Sequence, residues 1–159
     1  MTLKVKIVAV LPICTVLITA LGTVAGFAAR ADDLGTAVYS GVNRLRQTCG
    51  VIGDDPGLTV AAQRHADDML KNGVDGHIGS DGSSPQVRIT DAGYIRTGYT
   101  GEIVYWGTGS LATPSAALAA WMDSPPHRAI LVNCAFTAGG FAVASDGHKM
   151  TAVGEFTGP

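Results

Sequence analysis

The side chains able to do chemistry in this 159-residue chain are four histidines, a few acids set among apolar neighbours, and three cysteines. His127 stands in Trp121-Met122-Asp123-Ser124-Pro125-Pro126-His127-Arg128, where Ser124 can cap a helix and Pro125 can take its first position. His127 then lies in the first helical turn, at the positive end of the helix dipole and beside Arg128, and both influences disfavour imidazolium. A neutral imidazole binds metals or accepts protons; the plainer alternative is that His127 caps or packs. His77 is bracketed by glycines in a loop running from Asn72 to Ser84, and such loops often carry function. Glu102 lies in Thr97 to Trp106, a run rich in β-branched and aromatic residues. A carboxylate buried there must be paired, protonated or metal-bound, unless the strand turns it outward at a sheet edge. Asp123 and Ser124 offer a further acid and hydroxyl next to His127. His65 falls on or beside the apolar side of a helical run and reads as a hydrogen-bonded core residue. His148 reads as solvated at a hairpin tip. Asp75 and Asp81 do not reproduce a calcium-loop spacing.

The elements that must position these groups follow from periodicity and turn chemistry. Leu34, Val38, Val42 and Leu45 repeat at helical steps over Leu34 to Thr48, with Asp32 or Asp33 as N-cap and Arg44 and Arg46 on other faces. Gly53 to Gly57 reads as a turn cluster. A second helix spans Leu58 to Lys71, and Ser84-Pro85 and Thr113-Pro114 start two more. Two late strands, Phe136 to Ala144 and Lys149 to Phe156, are joined by Ser145-Asp146-Gly147-His148. Gly139-Gly140 predicts a bulge or a close backbone approach, next to the His127 helix.

Residues 1–31 read as a secretory signal peptide: Lys4 and Lys6, then an apolar run from Ile7 to Ala28, then small residues before Asp32. An uncleaved anchor is the other reading, and a membrane association would depend on it. Removing Lys4, Lys6 and Arg30 with that segment leaves eight basic residues against 13 acidic ones, a formal net charge of −5. That balance, without a basic patch, argues against a nucleic-acid partner and against attraction to anionic membranes. Cys49 and Cys134 remain, and an even pair in an exported protein points to a disulfide, with two free thiols as the alternative.

The order of these features resembles the CAP superfamily: cysteine-rich secretory proteins, antigen 5 and pathogenesis-related 1 proteins, or SCP domains, here in the bacterial exported branch. The residues that carry it are Asn43-Arg44-Leu45-Arg46, Leu58 to Ala62 with His65-Ala66 and Met69, and His77 with Gly79-Ser80-Asp81-Gly82. Arg88 with Ala92-Gly93-Tyr94, Gly101-Glu102, Trp121 to Arg128 and Gly139-Gly140-Phe141 complete it. The resemblance implies one domain over 32–159, an α+β fold built as a three-layer α-β-α sandwich around a mainly antiparallel sheet. It implies a cavity lined by two histidines and two acids, which in several relatives binds Zn²⁺ or another divalent metal. Carried over by position, the ligands are His77, His127 and Glu102. For the second acid this chain offers Asp123 and Ser124, and Ile103 replaces the asparagine that usually follows Gly-Glu. The expected role is that of a secreted or cell-envelope module binding a lipid, sterol, cell-wall or protein component. No activated nucleophile is evident, Ser124 being used as a cap. The alternative is a metal-assisted hydrolase or peptidase in which Glu102 is the general base.

Overall fold

The computed structural model describes the backbone of residues 22–94 and 98–159, with side chains from Asp33 onward. Helix α1, Gly22–Leu45, is followed by the short strand β1, Gly53–Asp54, and by helices α2, Pro56–Asn72, and α3, Pro85–Asp91. Strand β2, Thr100–Thr108, leads through a single 3-10 turn into α4, Pro114–Asp123, and α5, Pro125–Leu131. Strands β3, Ala138–Ser145, and β4, Lys149–Thr157, close the chain. The sheet runs β1-β3-β4-β2, antiparallel except for the β1–β3 pair. Helices α1, α4 and α5 cover one face around Val38, Val42, Trp121, Leu131, Phe141 and Phe156. Helix α2 covers the other, packing Ala62, Ala66 and Met69 on Ala142, Ala144 and Val153. This is the expected α+β sandwich.

An extended capping residue followed by proline starts α2, α3 and α4. Asp55 accepts from the backbone of Gly57 and Leu58, Ser84 from Val87, and Thr113 from Ala116. Ser124 departs from the expectation, since its side chain caps nothing. Pro125 and Pro126 remove the first two backbone donors of α5, so little is left for a cap to satisfy. The turn expected at Gly53 to Gly57 is instead a strand and a helix start, because Gly53 and Asp54 pair with Ala138 and Gly139.

Helix α1 continues through Asp32 and Asp33, so neither caps it, the preceding Ala28-Ala29-Arg30-Ala31 being good helix formers. The apolar run of the expected signal segment as far as residue 21, Cys14 included, lies outside the described residues. Among the described residues no helix is long and apolar enough to cross a membrane. Gly140 does meet another backbone closely, but that of α2 and not the His127 helix: a Cβ there would lie 2.1 Å from the Thr59 nitrogen.

Two devices fix the far end of α5. Cys49 and Cys134 form the expected disulfide, which in the loop-entropy picture contributes about 4–5 kcal/mol. Arg46 is buried beside it, against the outward placement expected from helical periodicity. Its N–H still bonds the Val42 carbonyl, so Arg46 takes the next step of four after the buried Val38 and Val42, and Leu45 is the residue left exposed. Its guanidinium donates to the carbonyls of Leu131 at 2.6 Å, Asn133 at 3.1 Å and Phe136 at 2.7 Å. The Leu131 carbonyl is one that the end of α5 leaves without a helical partner, and the other two belong to the segment that follows it.

Candidate functional site

Glu102 is the hub of a polar cluster built by four elements. Strand β2 carries it into the layer beneath α2 and α3, where its side chain is 2 % exposed. One carboxylate oxygen accepts from His77 Nδ1 at 2.7 Å, and the other accepts from Arg88 Nη2 at 2.5 Å. Arg88, fully buried on α3, also donates to the carbonyls of Ser83 at 2.8 Å and His77 at 3.0 Å. It therefore neutralises Glu102 and clamps the loop that brings in His77 at His77 itself and at its Ser83 end. The loop is tied from α2 as well. His65 Nε2 donates to the Gly76 carbonyl at 2.8 Å, and Asp68 accepts from the Ser80 backbone at 2.7 Å. His65 is thus the core histidine its sequence position predicts.

Burial alone would raise the Glu102 pKa, but the bonds from His77 and the charge of Arg88 outweigh it and hold the group below its ordinary value. The same carboxylate raises the pKa of His77. His127, from α5, faces His77 with ring centroids 6.4 Å apart. Its pKa is lowered, first by burial and then by the charge of His77. The neutral imidazole expected at position 127 is therefore present, for a cause other than the helix dipole.

Behind Glu102 lies a group the sequence reading passed over. Glu155 on β4 is the cross-strand partner of Glu102, is fully buried, and has no partner for its carboxyl group other than the neighbouring Glu102 carboxylate, to which its protonated form can donate. Burial and the neighbouring Glu102 charge push its pKa up to about 10, so it is a neutral acid at physiological pH. A charged residue at an inward position of a strand that otherwise reads as apolar was the signal available for it. Arg88 was legible as part of the family resemblance, not as the partner of Glu102.

The structure brings His77, Glu102 and His127 together and leaves Asp123 apart. A cleft of about 310 Å³ runs from His127 along β2, lined by Ser124, Ala120 and Trp121 on one side, Val104, Tyr105 and Trp106 along the strand, and Asp75 opposite. Asp123 is exposed and absent from this lining; Ser124 is present. Among the described residues, no three His, Cys, Asp or Glu side chains gather as a metal-binding group. His127 lines the cleft and His77 faces His127, but Glu102 spends both oxygens on His77 and Arg88. As arranged, the donor set does not fit a Zn²⁺ site with three protein ligands.

The family model of the cysteine-rich secretory protein family, CAP, matches residues 39–156. No curated protein matches the chain in sequence. Among solved structures, the fold is similar to an outer surface protein of Borrelia burgdorferi, with a TM-score of 0.67 and 22% identity over 77% of this chain and 90% of that one. It is similar to an extracellular protein containing a SCP domain from Bacillus anthracis, at TM-score 0.70 and 20% identity, covering 85% of this chain and 43% of that one. A cysteine-rich secretory protein of Staphylococcus aureus gives TM-score 0.64 and 16% identity over 82% of this chain and 40% of that one. The chain thus spans less than half the length of the latter two.

Proposed function

The chain belongs to the cysteine-rich secretory protein (CAP) family, and we propose that it acts outside the cytoplasm as a non-catalytic binding module whose ligand enters the cleft at His127. The observation that carries this reading is the commitment of Glu102. Its carboxylate is buried, ion-paired to Arg88 and hydrogen-bonded to His77, so it is neither a free base nor a free metal ligand. The surrounding groups instead make a small number of fixed polar contacts beside an apolar strand and a half-exposed Trp106, as binding clefts do. The disulfide and the outer-surface and extracellular character of the similar structures support an exported location.

Calorimetric titration with lipid vesicles, sterol, cell-wall muropeptides and peptides tests the reading. One class binds saturably, and His127→Ala weakens it at least about tenfold, a loss of roughly 1.4 kcal/mol. Saturable binding by none of these classes refutes the module.

A hydrolase is the second reading, favoured by the opposite pKa shifts of His77 and His127, since divergent titration is how acid and base roles are divided. Turnover of a peptide or ester substrate that is lost in both His77→Ala and His127→Ala would replace the binding module with an enzyme.

A further inference from the structure

We propose that the ligand of this cleft is an extended peptide segment, added as a strand to the free outer edge of β2; this rests on the binding-module reading above. The sheet ends on β2, with β4 on its inner side and, among the described residues, no strand on its outer side. The direction of its backbone groups follows from two bonds. Tyr99 accepts from the Gly158 backbone at 3.1 Å on the β4 side, so Gly101, Ile103 and Tyr105 turn the same way. Val104 accepts from Trp121 Nε1 at 2.9 Å on the outer side, so Glu102 and Trp106 turn outward with it. Among the described residues, no hydrogen bond reaches the N–H of Val104 or either backbone group of Trp106.

The opposite edge of the sheet is protected. There β1 pairs with β3 at Ala138 and Gly139, and α1 lies so close beyond it that a Cβ on Gly35 would sit 3.5 Å from the Phe141 carbonyl. Natural edges are blunted by proline, lysine or a covering element. Strand β2, nine residues of sequence TGEIVYWGT, has neither proline nor lysine. Its walls, Asp75 on one side and Ala120 with Ser124 on the other, flank the cleft of about 310 Å³ along the edge.

An extended peptide repeats its outward N–H and C=O every two residues, about 6.6–6.8 Å, which matches the Val104 to Trp106 spacing by construction. Its alternate side chains would fall towards Trp106, 48% exposed, and towards Ala120. Asp75 supplies a carboxylate, and His127 is held neutral, so the lining suits a neutral or basic segment over an acidic one.

The test follows the Val104 and Trp106 amides by hydrogen exchange in ¹⁵N-labelled protein, with a degenerate pool of neutral and basic heptapeptides at millimolar total concentration. Both amides exchange freely without peptide and slow by at least about tenfold with it. The tightest-binding member, resynthesised with N-methyl groups on alternate residues, loses at least about tenfold affinity in one register and keeps it in the other. Trp106→Pro removes the edge donor with a residue that edge strands tolerate, and weakens the peptide similarly; the N-methyl comparison stands on the unaltered protein if that variant misfolds. The proposal is overturned if the pool leaves both amides unchanged, or if both N-methyl registers bind alike. It is also overturned if protection rises with protein concentration alone, which would make a second copy the occupant. Vesicles, sterol or muropeptides that bind through His127 while the edge amides stay unprotected would remove the peptide and leave the binding module intact.

Discussion

Glu102 separates two regions of opposite character that share one carboxylate. On the outer side, His77 has its side chain 49% exposed and faces His127, which lines the cleft. On the inner side, Arg88, Glu155 and His65 are shut between the sheet and the helices α2 and α3. The outer pair is arranged around mobile protons and open valences. The inner group is arranged around fixed charge, with one cation, one anion and one neutral acid. The difference locates the energetic stake: the inner residues are expected to carry stability, and the outer ones the recognition proposed for the cleft.

The largest expected effect comes from breaking the inner ion pair. Arg88→Met leaves Glu102 buried without its cation and also frees the His77 loop at His77 and Ser83. Removing one partner of a buried pair typically costs 3–5 kcal/mol, and a loss of about that size is expected in urea unfolding at neutral pH. A loss below about 1 kcal/mol would mean that the inner region is not organised by charge.

Glu155 should act with the opposite sign. Its folded pKa is raised to about 10 against an ordinary value of 4.5. Between those values the unfolded chain has lost the proton and the native state keeps it, so stability falls as pH rises through that window. Glu155→Gln removes the penalty and is expected to stabilise the protein at pH 7 by up to about 3 kcal/mol, with little change at pH 4. Equal stability of the two proteins from pH 4 to pH 9 would show that Glu155 has found a partner and is not a neutral buried acid.

His77→Ala probes the border between the regions. Glu102 is depressed, so its stabilisation is present above the unfolded pKa and fades as pH falls through the folded one. His77 is raised, so its share is present below the unfolded pKa and fades as pH rises through the folded one. The substitution should flatten both limbs of the stability profile. Because His77 is half exposed, the loss between them should be modest, about 1 kcal/mol. An unchanged acid limb would detach His77 from Glu102.

The sequence made the outer region legible and left the inner one largely hidden, for a physical reason. His77, Glu102 and His127 sit in glycine-rich, strand and capped-helix contexts whose local chemistry can be read from neighbours in the chain. Glu155 acquires its meaning only from the register that sets it against Glu102, 53 positions away by their numbering. Arg46 was misplaced because its charge was read as outward, although it falls on the step of four after Val38 and Val42 and finds its partners only in the distant carbonyls of the Leu131 to Phe136 segment. Ser124 was misread because a cap was inferred without asking which donors the two prolines had already removed. Capping at Ser84 and Thr113, the Cys49–Cys134 pair and the core role of His65 needed no such tertiary knowledge, and each holds.

The smallest effect on stability should come from His127→Ala, and it draws the sharpest line between the regions. His127 makes no hydrogen bond to another side chain among the described residues, and α5 is held by Arg46 and the disulfide at its far end. Removing the imidazole should therefore shift unfolding by less than about 0.5 kcal/mol, as for a surface substitution. The His77 titration should respond more clearly. The charge of His77 lowers the pKa of His127, and by reciprocity a protonated His127 opposes protonation of His77. With His127 removed, the His77 ring followed by NMR should titrate at a slightly higher pH, while its bond to Glu102 persists. A downward movement, or a stability loss above about 2 kcal/mol, would mean that His127 belongs to the structural side of Glu102 after all.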